Sequence, residues 1–268
     1  MTLNTYDIAT AVTAFTTTRE GGYSCGSYAT FNVNKYCGDN PDHVELNRKM
    51  LCSSLGIDND KLIIPHQTHS DHIEIIDDKF LNKTLEEKEK CLEGCDALIT
   101  DISKVCICVS TADCIPIIIY DTTNKIAAVV HAGWRGTVAR ITEKTIATLK
   151  NVFGTKAQDC KSVIGPGISL DCFEVGNEVY ESFERAGFDM TRISKKYPAT
   201  NSHNIYFATK WHIDLWKANE IQLIKSGLSE SNIQTCGICT YTNYTQYFSA
   251  RRMGINSGRI LTGIMMNK

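Results

Sequence analysis

The chain reads as an α+β protein with mixed β-sheets flanked by helices. Three observations carry that reading. Apolar, β-branched runs and helical patterns both occur, but they do not alternate as βαβ units would. At least one pair of runs has hairpin spacing, so the sheets are not purely parallel. No stretch rich in Pro, Gly or Ser divides the 268 residues, so a single domain spanning residues 1–268 is expected.

The elements follow in order. Ala14–Arg19 is strand-like and runs into a Glu20-Gly21-Gly22 turn. Asp42–Leu55 has the pattern of a helix with charged faces. Leu62–Ile64 and Ile73–Ile76 are short strands. Lys83–Glu93 is highly charged and reads as an exposed loop or helix. Val105–Ser110, Ile115–Tyr120 and Ile126–His131 form the apolar heart. Thr137–Val152 carries helical periodicity through Val138, Ile141, Ile146 and Leu149. Ser162–Ile164 is a strand, Val175–Ala186 and Lys210–Lys225 are helices, and Ile260–Met265 is a last strand.

Composition excludes several classes. Hydrophobic content of 43% and charged content of 22% are ordinary for a globular protein. A net charge of −2 gives no electrostatic footprint for nucleic acid. No apolar run reaches transmembrane length, and the N-terminus lacks a signal-peptide pattern. The twelve cysteines are therefore expected as free thiols in a reducing cytoplasm. Cys236-Gly237-Ile238-Cys239 has the spacing of a redox pair or half a zinc site, but no second CxxC accompanies it.

The most informative residues are His69, Cys114 and His131. Two imidazoles and a thiolate suit zinc, and three protein ligands leave a position for water or substrate, as catalytic zinc requires. The polar cluster Asp121–Lys125 separates two strands. A four-residue loop over Asp121–Asn124 pairs Tyr120 with Lys125 and Cys114 with His131, with Cβ atoms about 4.5–5.5 Å apart on one face. A five-residue loop would put them on opposite faces unless a bulge intervened. His69 must come from elsewhere, in a loop or strand end after Pro65. His66 and His72 read as solvent-exposed or hydrogen-bonded side chains.

Arg135, in Trp134-Arg135-Gly136 at a strand-to-helix junction, is equally an anion holder or a surface residue in a tight turn. The Ile164-Gly165-Pro166-Gly167-Ile168-Ser169 link is too short for a phosphate loop and reads as a close backbone approach. Arg251, Arg252 and Arg259 concentrate positive charge near the C-terminus, either to hold a phosphate or to face solvent. A deaminase signature is only mimicked: His72-Ile73-Glu74 lies far from Cys236 and Cys239, and Thr235 stands where Pro is needed. No G-x-S-x-G elbow or H-E-x-x-H helix occurs.

Together the ordered motifs resemble the YfiH family, also called the laccase-domain or polyphenol oxidase family. They are His66-Gln67-Thr68-His69-Ser70, Asp96–Thr100, Thr111-Ala112-Asp113-Cys114-Ile115-Pro116 and His131-Ala132-Gly133-Trp134-Arg135-Gly136. Gly165–Ile168, Phe173–Gly176, Cys239-Thr240 and Phe248–Arg252 follow, and Thr18–Gly22 and Phe31–Asn34 precede them. Where the family often has Tyr and Asp, this chain has Ala250 and Met253. The resemblance implies a four-layer αββα sandwich and a metal site at His69, Cys114 and His131. It implies purine nucleoside phosphorylase activity on adenosine, inosine and methylthioadenosine, with adenosine deaminase activity. Copper-dependent phenol oxidation and peptidoglycan precursor editing are also attached to the family.

Physical chemistry ranks these activities. Seven histidines cannot build a blue-copper plus trinuclear cluster, although one bound copper could still oxidise phenols. Zinc would supply a nucleophile for deamination. Phosphorolysis needs bound phosphate, for which Arg135 is the first candidate and Arg252 the second. Asp113 is a proton carrier, a partner of the ligand set, or a turn cap. A metal-free alternative makes Cys114 a nucleophile with His131 as its base, suited to amide hydrolysis. A non-catalytic metal binder is the reading from another class.

Overall fold

The structure is a computed structural model and describes residues 1–200 and 206–268. A five-stranded sheet runs in the order β1 (Leu3–Tyr6), β2 (Val12–Thr17), β14 (Ile260–Met266), β6 (Cys106–Thr111) and β3 (Leu62–Ile63). A six-stranded sheet runs β13 (Ile233–Thr235), β9 (Cys160–Ile164), β7 (Ile115–Asp121), β8 (Ile126–Ala132), β5 (Cys95–Thr100) and β4 (His72–Ile75). A smaller sheet holds β10 (Glu174–Val175), β12 (Tyr206–Ile213) and β11 (Ser194–Thr200). Only β3–β6, β4–β5 and β9–β13 pair parallel among the described residues.

The two large sheets pack face to face. Ile107, Val109 and Ile264 of one meet Leu98, Ile118, Tyr120 and Val129 of the other. Alternation sends the remaining residues outward. Ile99, Ile117, Ile119 and Val130 pack beneath α5 (Ile141–Phe153), α6 (Asn177–Arg185) and α8 (Leu215–Lys225). Phe15, Cys106, Cys108 and Leu261 meet Leu51 and Cys52 of α1 (Pro41–Leu55). The result is helix, sheet, sheet, helix. Strands β5 to β8 are buried on both faces, which explains their nearly continuous apolar composition. Short helices complete the fold: α2 (Asp78–Leu81), α3 (Leu85–Leu92), α4 (Trp134–Val138), α7 (Met190–Ile193) and α9 (Ala250–Met253). No helix among the described residues is long and apolar enough to cross a membrane.

Several boundaries differ from the sequence expectation. The expected Thr137–Val152 helix is broken: α4 ends at Val138 and Arg140, at φ 63°, separates it from α5. Val175 belongs to β10, and the helix after it starts at Asn177. Residues 210–213 of the expected Lys210–Lys225 helix belong to β12, and α8 begins at Leu215 behind its cap Asp214. The charged Lys83–Glu93 stretch is helical through α3, closed by a Thr84–Glu87 capping box.

The β7–β8 hairpin forms with a shifted register. Tyr120 opposes Ala127 and Pro116 opposes His131, instead of the expected Tyr120–Lys125 and Cys114–His131 pairs. The cause is Asp121. It stays in the strand opposite Ile126, and its carboxylate accepts from the Thr123 and Asn124 amides at 2.9 Å. The four-residue loop is thus Thr122–Lys125, closed by Lys125 at φ 60°. A shift of two preserves the parity of the strand, so Cys114 stays on the face of His131 as a diagonal neighbour.

Candidate metal centre and cavity

Three connections bring the site together. His69 lies between β3 and β4, and Cys114 between β6 and β7. Both connections cross from the five-stranded to the six-stranded sheet. His131 is near the end of β8. The donor atoms of His69, Cys114 and His131 all lie within 4.8 Å of one another, and Cys114 Sγ is 3.7 Å from His69 Nε2. This is the only such metal-competent group among the described residues. Cys236 and Cys239 take no part in it.

The backbone is shaped to allow this approach. His69 has φ 64° and Asp113 φ 86°, left-handed conformations that non-glycine residues keep only where their surroundings enforce them. A Cβ at Gly133 would come 2.9 Å from His69 and 3.0 Å from Cys114, so the position admits only glycine without displacing those side chains. A Cβ at Gly167 would come within 2.4 Å of Ile115 and 3.0 Å of the Asp113 carbonyl. The Gly165–Ile168 link is thus the close backbone approach expected of it.

Asp96 organises the candidate donors and was not singled out from the sequence. Its carboxylate accepts from His131 Nδ1 at 2.6 Å. It also accepts the amides of Thr68 (3.2 Å), His69 (3.1 Å) and Ser70 (2.8 Å). One fully buried side chain therefore fixes the His69 loop and turns His131 so that Nε2 is left for a ligand. The available signal was an acid opening the otherwise apolar Asp96–Thr100 run.

Electrostatics favours a charged donor set. Burial pushes the Cys114 thiol up, but His131 and His69 together outweigh it and bring the pKa down to about 6. Burial pushes His131 down, while the Cys114 thiolate and Asp96 raise it to about 9. Burial also opposes ionisation of Asp96, yet His131 and the Ser70 amide hold it below the usual carboxylate value. Two imidazoles and a stabilised thiolate, with a carboxylate behind one of them, fit a zinc or copper ion.

The group sits in an open cavity of about 690 Å³. Tyr36, His66 and Phe173 give it aromatic walls, and Arg251 and Arg259 give it positive charge. The His66 ring stacks on Tyr36 at 4.1 Å and its Nδ1 pairs with Glu93 at 2.8 Å. Gln67 Nε2 donates to the Ser110 carbonyl at 2.9 Å, tying the His69 loop to β6. Asp113 lines the cavity with its carboxylate engaged by Thr240 and by the amide of Arg251. Arg135 is exposed outside the cavity lining, its guanidinium 4.3 Å from the Trp134 ring. Arg252 also lies outside it, against Tyr244 and Tyr241. Arg259, grouped with them by sequence, and Arg251 are the arginines that reach it.

A three-donor metal-competent group lining an open cavity, in a four-layer αββα sandwich, defines a site for chemistry on a small molecule. The chain belongs to the family described as multi-copper polyphenol oxidoreductase laccase, which matches residues 13–267. It is 44% identical over 257 residues to a purine nucleoside phosphorylase of Bacteroides thetaiotaomicron, covering 96% of this chain and 92% of that protein. It is 42% identical over 253 residues to adenosine deaminase RL5 of an unknown prokaryotic organism, covering 94% and 93%. The crystal structure of YlmD from Geobacillus stearothermophilus superimposes with a TM-score of 0.86 at 25% identity, covering 98% of this chain and 94% of that one.

Proposed function

We propose that the chain is a zinc-dependent purine nucleoside enzyme of a reducing cytoplasm. Its reactions are phosphorolysis of adenosine, inosine and methylthioadenosine to base and ribose 1-phosphate, and deamination of adenosine. The observation that carries this reading is one cavity holding both the His69–Cys114–His131 group and two arginines, Arg251 and Arg259. The names of the two similar enzymes support the substrate class. A volume of about 690 Å³ lies within the range of small-ligand pockets.

His69, Cys114 and His131 would hold the metal, with Asp96 orienting His131. When bound, zinc supplies Lewis acidity that makes a hydroxide-like nucleophile accessible near neutral pH. The chain's own groups do the rest. Tyr36, His66 and Phe173 offer faces against which a purine ring stacks. Arg251 and Arg259 hold phosphate through charge-assisted hydrogen bonds, in preference to Arg135 and Arg252 outside the cavity.

The test is adenosine incubated with and without inorganic phosphate, with products separated by chromatography. Adenine and ribose 1-phosphate should appear only with phosphate, and inosine in both. No adenine, inosine or hypoxanthine in either arm would refute the reading.

Two observations favour other chemistry at the same residues. The family description favours copper, and copper-loaded protein oxidising a phenol with dioxygen would support it. The lowered Cys114 thiol beside an Asp96-bound His131 favours a Cys-His amide hydrolase. That reading requires metal-stripped protein to cleave a cell-wall peptide, and stoichiometric zinc with no such cleavage counts against it.

A further inference from the structure

We propose that Asp113 is a positioning residue: it sets the Arg251 side of the cavity against the Cys114 side and carries no proton to or from substrate. The identity of the anion held by Arg251, phosphate, rests on the nucleoside reading above.

Asp113 is 8% exposed and both its carboxylate oxygens are occupied. Oδ1 accepts from Thr240 Oγ1 at 2.7 Å, and Oδ2 accepts from the Arg251 amide at 2.7 Å. Its main-chain oxygen accepts from the Ile168 amide at 2.8 Å. Gly167, without a Cβ, permits that approach, and Gly167 in turn accepts from the Thr240 amide at 2.9 Å. One residue thus joins the β6–β7 crossing, the Gly165–Ile168 link, Thr240 and α9. It does so next to Cys114 and from a left-handed backbone.

Proton transfer requires a carboxyl oxygen that can reach substrate and change protonation. Here each carboxylate oxygen already accepts from a separate segment, Oδ1 from Thr240 and Oδ2 from the Arg251 amide. The Arg251 side chain is anchored at its far end as well, where Nη1 donates to the Glu174 carbonyl at 3.0 Å. An arginine fixed at backbone and guanidinium is preorganised for an oxyanion, and small displacements of such an arm weaken binding steeply.

Substitutions separate the two roles. In Asp113→Asn, the amide oxygen can accept from the Arg251 amide while its NH₂ donates to the Thr240 hydroxyl. A strut therefore survives this change and a proton carrier does not. Asp113→Asn should retain most of kcat. Asp113→Ala should raise KM for inorganic phosphate about tenfold or more, with zinc content and KM for adenosine unchanged. Amide hydrogen exchange at Arg251 should accelerate in Asp113→Ala and stay slow in Asp113→Asn. If Asp113→Ala does not fold, Thr240→Val replaces it, with Thr240→Ser as the rescue. A loss of kcat in Asp113→Asn, or unchanged phosphate KM and Arg251 exchange in the Ala or Val variant, overturns the proposal. If the unsubstituted enzyme makes no purine product, the nucleoside reading falls separately, and the exchange measurement still decides the strut.

Discussion

Asp96 serves both candidate histidine donors, holding His131 by its ring and His69 by its backbone. Asp96→Asn keeps the size but lacks the full acceptor set, so metal affinity should fall about 10–100-fold. Competition with a chelator measures it, and an unchanged affinity would remove Asp96 from the site. The Cys114–His131 pair makes a second prediction. In metal-stripped protein the thiolate prevails above about 6 and the imidazolium below about 9. A ligand must give up its proton to bind metal, so between those limits zinc should displace about one proton from this pair. Below the lower limit the number rises toward two, because the thiol is protonated as well; above the upper limit it falls toward none. Zinc titration in weak buffer at several pH values reads the number, and a pH-independent value refutes the pairing. Hairpin spacing made the meeting of Cys114 and His131 legible, whereas His69 joined them only through the family resemblance; the structure gathers the three donor groups. Asp96 was not, because a buried acid announces itself only through partners that are remote in sequence.

Element by element, the sequence was clearest where periodicity was simplest. The central strands β6, β7 and β8 were legible as apolar, β-branched runs. The hairpin register was off by two because Asp121 serves as the last strand residue and also as the acceptor that closes its turn. At the start of α8, Trp211, Ile213 and Leu215 alternate, which is strand spacing as far as Ile213. The Asp214 cap, accepting from the Lys217 amide at 2.9 Å, marks the change. The small strands β10 and β13 span only two and three residues, too short for any period to register. The capping box of α3 gives a local test. Thr84→Ala removes the acceptor of the Glu87 amide and should cost about 1 kcal/mol, read from a urea midpoint. Zinc content should not change, since α3 contributes no ligand; a loss of zinc would mean that α3 holds the cavity wall at His66.

At the scale of the whole molecule, the four layers are built on a central core that includes Ile118, fully buried between the sheets. Ile118→Ala should destabilise the fold by about 2–5 kcal/mol, measurable by denaturant unfolding. A smaller cost would mean that the two sheets close over the cavity left behind. The αββα layering itself came from family resemblance and not from periodicity, because apolar alternation says which face is buried without saying what covers it. Two of the three candidate donors, His69 and Cys114, occupy the two crossings between the large sheets, and the third, His131, lies near the end of a strand of one of them. A metal bound there is a rivet through the sandwich. Since the unfolded chain does not gather these donors, an ion at a hundredfold its dissociation constant adds about 2.7 kcal/mol to folding stability. A melting curve taken across free zinc concentrations is then also a binding isotherm, and it yields the metal affinity without any substrate being known.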